Sequence, residues 1–130
     1  MKSLSDYTQG PMTQLFTETG AFFAFSEDQL KEKTKSGVKY VAAGSGLVVE
    51  KEHYKRLIDG LELIISNGIA QDLNENGKNG VIRRELFNHE SFYTNDITDC
   101  LDSLDRYNIS PEEVAKAFSH IKRTEADSIY

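Results

Sequence analysis

His89, Glu90, Asp96 and Asp99 come nearest, by type and spacing, to a chemical site in this 130-residue chain. An imidazole beside three carboxylates could hold a divalent cation or move protons. The pattern is not HExxH, because Tyr93 stands where the second metal-binding histidine is needed. The simpler reading is a polar hinge in which Asn88 and His89 cap neighbouring helices. Asp72, Asn74, Asn76 and Gly77 follow the first half of a calcium loop, with oxygen donors at alternate positions and then glycine. That loop then fails, because Arg83 occupies the place of the bidentate glutamate and Glu85 comes too late. An Asn/Gly turn accounts for it. Gly44, Ser45 and Gly46 are too few for a phosphate-binding GxGxxG and read as a turn. Cys100 falls on an apolar helix face and reads as a buried, inert thiol. His53 and His120 read as solvent-facing residues on ordinary helices. No Ser/His/Asp, Cys/His or paired-carboxylate arrangement stands out, so neither an enzyme nor a cofactor is expected.

Asp96, Asp99, Asp102 and Asp105 recur every third residue. At about 100° per residue, Ile97, Cys100, Leu101 and Leu104 cluster on one side of a helix and the aspartates sweep the other. Residues 85–113 carry eight acidic residues against one basic residue, Arg106, a charge of −7 where the whole chain is −6. The remainder is therefore close to neutral. Like charges on one helix face repel, and a basic partner would relieve the cost. The row is either a solvated face or a partner-binding face that includes Glu90 and Tyr93. Nucleic-acid mimicry is the weaker form of the second reading, since successive aspartates rise only about 4.5 Å along a helix.

The elements that must position these residues follow from periodicity. A weak helix over residues 3–18 is expected to break at Gly10-Pro11. Residues 22–25 read as a short strand, with two of its three phenylalanines (Phe23 and Phe25 sharing a face) in the core. Ser26, with Gln29 three residues on, opens a helix to about Lys35. Residues 38–43 and 47–49 read as a hairpin. Helices are predicted over residues 51–67, from 81 to near His89, around Ile97 to Leu104, and from Ser110-Pro111, whose Glu113 completes a capping box. Residues 73–80 (LNENGKNG) read as the clearest loop. The fold class is α+β: a small N-terminal hairpin or three-stranded sheet packed against a mainly helical C-terminal two-thirds. One domain over 1–123 with a frayed tail at 124–130 is expected. A lone cysteine, no secretory or membrane-spanning stretch and a pI near 5.0 predict a cytoplasmic protein without a broad nucleic-acid-binding surface of its own.

Three stretches, GAFFAFSEDQLKE, VAAGSGLVVEKEHYKRL and RRELFNHESFYTNDITDCLDSL, resemble in that order a family of small uncharacterised phage and mobile-element proteins. The last carries the pattern ELxNHExxYTxDxxDxLxxL through Glu85, His89, Glu90, Tyr93, Asp96, Asp99 and Leu104. The resemblance covers residues 20–121; the hairpin is less glycine-rich here, and nothing after Arg123 is shared. It implies no catalytic residues. It implies a mobile-element protein that binds a host protein, such as an anti-CRISPR-type inhibitor docking on a nucleic-acid-handling effector. A metal-dependent site at His89, Glu90, Asp96 and Asp99, or an accessory protein of the mobile element without a defence target, are the alternatives.

Overall fold

The computed structural model describes residues 2–125. The architecture is α+β, with a three-stranded antiparallel sheet near the N-terminus and helices elsewhere. In chain order the elements are α1 (Leu4–Thr19), β1 (Phe22–Phe23), α2 (Glu27–Lys33), β2 (Tyr40–Gly44), β3 (Leu47–Glu50), a 3-10 turn (Lys51–His53), α3 (Tyr54–Asn88), α4 (Ser91–Thr94), α5 (Thr98–Asp105) and α6 (Pro111–Thr124). The described residues divide into two compact units, 2–68 and 69–125.

In the first unit the strand order is β1-β3-β2. The hairpin forms where β-branched and small residues flank Ser45 and Gly46, and both of these take positive φ. That backbone fits the right-handed twist of paired strands. Leu47 and Val49 alternate inward and are buried with Leu15 of α1 and Leu57 of α3. α1 lies close against the start of α3 because α3 offers glycines there. A Cβ at Gly60 would fall 2.8 Å from Leu15 Cδ2, and one at Gly68 would fall 2.6 Å from Thr8 Cγ2.

Two expectations about this unit are corrected. The first helix runs unbroken through Gly10-Pro11. Gly10 has no Cβ to clash with the proline ring, so the residue before proline keeps helical geometry. Thr8, Thr13, Thr17 and Thr19 meanwhile return their hydroxyls to carbonyls one turn back. Phe23 and Phe25 do share a face, stacked at 6.0 Å, but that face is outward, with exposures of 43% and 74%. Only Phe22 and Phe23 pair with β3. Ser26 then turns the chain into α2, its hydroxyl accepting from the Gln29 amide, before the strand can lengthen.

The second unit corrects the clearest loop. Residues 73–80 are helical apart from Gly77, whose φ of 72° and ψ of 160° interrupt α3. This backbone region is open essentially to glycine alone. Helix continues up to the break because the Asn76 amide donates to Asp72 Oδ1 at 2.7 Å. α6 begins as the sequence predicts, with Ser110 and Glu113 capping each other reciprocally. Its last residue is Thr124, and Glu125 is its C-cap, the amide bonding back to the Ile121 carbonyl. The rest of the expected tail, 126–130, lies outside the described residues.

Candidate interaction face and its buried support

Asp72, read from sequence as a fragment of a calcium loop, has no exposed surface. Its carboxylate accepts from Arg84 Nη1 at 2.8 Å and Nη2 at 2.9 Å, a two-pronged pair. Tyr107, just beyond α5, donates its hydroxyl to Oδ2 at 2.5 Å. Burial by itself would push the Asp72 carboxyl up. The bonds from Arg84, Tyr107 and Asn76, with the guanidinium charge, more than offset this and hold it below its ordinary value of 3.8. The same burial and the Asp72 bond push the Tyr107 hydroxyl up to about 12. Burial opposes the charge on Arg84, and its bonds to Asp72 and Glu85 overcome that opposition. The network continues outward. Arg84 also donates to Glu85 at 2.9 Å, Glu85 lies 3.3 Å from His89 Nε2, and that nitrogen is 3.0 Å from Ser103 Oγ on α5.

α5 is held against this support by Cys100 and Leu104, both fully buried. Burial, and then the Glu85 charge, push the Cys100 thiol up to about 11, consistent with an inert group. The opposite side of α5 carries Asp99, Asp102 and Asp105, all exposed. Asp96 is exposed too but sits before the helix rather than on it. Its Oδ1 accepts from the Thr98 hydroxyl at 2.6 Å and the Thr98 amide at 2.9 Å. These bonds hold its carboxyl low. The row expected from sequence is therefore three aspartates on a helix and one at its entrance. None of the four forms an ion pair among the described residues.

Glu90, which caps α4, and Tyr93, on α4, precede the row in the chain and are exposed as well. Tyr93 is 80% exposed. Glu90 and Asn95 bracket α4 with φ of 53° and 58°, left-handed backbone that non-glycine residues adopt at a cost. Buried Ser91 has a hydroxyl with no hydrogen-bond partner among the described residues. Stacking of Phe92 on Phe118 at 5.1 Å and a 2.7 Å bond from Lys122 to Asn95 hold this costly turn on α6.

The alternative metal grouping of His89, Glu90, Asp96 and Asp99 is not assembled. His89 turns to Glu85 and Ser103, and neither capping by its ring nor convergence with Glu90, Asp96 and Asp99 is present. Among the described residues, the one trio whose ligand atoms lie within 4.8 Å of one another is Glu50, Glu52 and His53. His53 contacts both glutamates, at 3.4 and 3.5 Å, and is half-buried rather than on an open helix face. Sequence reasoning missed this trio because it spans a junction, with Glu50 ending β3 and Glu52 and His53 on the 3-10 turn that follows.

A family model described as a family of unknown function, DUF7659, matches residues 4–124. The chain belongs to this family. No curated protein and no solved structure matches it. Among the described residues of this DUF7659 chain, no helix is long and apolar enough to cross a membrane.

The buried pair in this DUF7659 chain generates two tests. Arg84→Met strands a buried carboxylate and is expected to cost about 3–5 kcal/mol in urea unfolding at neutral pH, while Asp72→Leu/Arg84→Met costs less than the single change. A double variant less stable than the single would contradict the assignment. Because the folded Asp72 carboxyl titrates below its ordinary value, its contribution is complete above about pH 4 and is lost as pH falls through the lower folded value. Asp72→Asn is thus expected to be less stable near neutrality yet to lose less stability on acidification below about pH 4. Equal acid slopes for the two proteins would sink that expectation.

Proposed function

We propose that this protein acts by binding, with the acidic face of α5, extended by Glu90 and Tyr93, docking on a basic surface of another protein. The observation that carries this reading is the placement of Asp105. A carboxylate in the last turn of a helix opposes the helix dipole, and no basic residue lies in that turn of α5. With Asp102 and Asp99 about one and two turns away, it adds repulsion and gains no salt bridge among the described residues. A fold optimised for its own stability would not keep that charge there. A cationic partner turns the cost into attraction.

The finer reading rests on the resemblance of residues 85–104 to mobile-element proteins. It makes the partner a host defence nucleoprotein, with this chain a stoichiometric, anti-CRISPR-like inhibitor covering a groove that receives RNA or DNA. Such grooves are lined by lysine and arginine that meet phosphates. Exposed Tyr93, three residues before Asp96 in the chain, supplies the rigid amphipathic contact that interfaces favour.

The test is interferometry against purified RNA-guided effectors, with and without bound guide RNA. Binding is expected to weaken sharply between about 0.1 M and about 1 M salt, as the screening length falls from about 10 Å to about 3 Å. Asp99→Lys/Asp102→Lys is expected to weaken it about 100-fold, mainly by juxtaposing like charges. Affinity indifferent to salt and to charge reversal would overturn the docking mode. Failure of every effector to bind would overturn the defence reading.

A further inference from the structure

Between the second half of α3 and α6, within the second unit, lies a cleft of about 630 Å³. That volume falls within the range of small-ligand sites. Ile82, Ala117 and Ile121 give it an apolar wall, and Arg83, Lys116 and Arg123 bring positive charge to it. Two glutamates also line it, and each already has a cation. Glu113 accepts from Lys78 at 2.8 Å, and Glu125 pairs with Arg83. Those bonds hold both carboxyls below their ordinary range. Lys116 and Arg123 form no ion pair among the described residues. The cleft therefore keeps uncompensated positive charge in a chain whose net charge is −6. Arg83 is fixed on two sides, by Glu125 and by the Phe87 ring 5.1 Å beneath its guanidinium, so little freedom remains for a ligand to remove.

We propose that this cleft binds a small organic anion, a phosphate or carboxylate carried on a flat apolar body. Ile82, Ala117 and Ile121 receive the body, and Lys116 and Arg123 receive the anionic end. Charge complementarity selects the head group, and the apolar wall selects against inorganic anions. The assignment is independent of the acidic face, which uses different residues on α4 and α5.

The test titrates the full chain with naphthyl phosphate, naphthoate, neutral naphthylmethanol and inorganic phosphate, followed by methyl and amide NMR. At least one naphthyl anion is expected to bind saturably, with shifts centred on Ile82, Ala117 and Ile121. The neutral probe and inorganic phosphate should each bind about tenfold more weakly or worse, the scale of one lost charged contact or of the apolar body. Lys116→Gln/Arg123→Gln, both at exposed positions, should weaken the anion about tenfold with Tm unchanged. Ala117→Trp should fill the cleft and abolish binding. The ratio of phosphate to carboxylate affinity distinguishes the two head groups. Absence of saturable binding by either anion, equal binding of the neutral probe, or shifts confined elsewhere would overturn the site.

Discussion

A buried carboxylate must find a cation, and in this protein the need shapes a whole helix. Asp72 and Arg84 are twelve residues apart, and in an unbroken helix their backbones would lie about 18 Å apart along the axis. No arginine spans that distance to make a two-pronged bond. The break at Gly77 and the Asp72–Arg84 pair therefore require each other. The break lets the helix fold back on its own charge, and the pair gives the broken helix one geometry. Tyr107 closes the arrangement from beyond α5, so one carboxylate ties together three stretches distant in sequence.

That tie explains how α5 can afford its charge. A helix of eight residues is far below the length at which isolated helices persist, about 12–15 residues, and three aspartates on its outer side weaken it further. Cys100 and Leu104 inside, the Ser103 contact to His89, and Tyr107 at its end supply what its own sequence lacks. The outer face is then free of structural duty. Backbone strain at Glu90 and Asn95 and the Ser91 hydroxyl, unpartnered among the described residues, concentrate at the entrance to that face, where tolerated cost and candidate function coincide.

The features legible in the sequence are local ones. The Ser110/Glu113 box, the Ser26 cap, the Gly44–Gly46 hairpin and the apolar side of α5 each follow from residues within one or two turns of each other. What escaped depends on distant partners. LNENGKNG has a loop's composition, yet seven of its eight residues are helical, with Asp72 bonded to Asn76 within the helix and to Arg84 and Tyr107 across the break. Phe25 looks like core until Ser26 ends the strand and leaves the ring outside. The cleft escaped too, because it depends on which side chains of α3, such as Ile82 and Arg83, face α6. The family match adds no residue roles, so the acidic face and the cleft stand on geometry and charge.

If the buried network holds the acidic face in place, hydrogen exchange in Tyr107→Phe reports it. Removing one hydroxyl leaves every exposed aspartate untouched. Amides of residues 101–105 are predicted to exchange about tenfold faster, the equivalent of one net hydrogen bond to a charged group. Amides of α1 and the sheet should keep their rates. Unchanged rates in α5, or an equal rise in both units, would contradict the account.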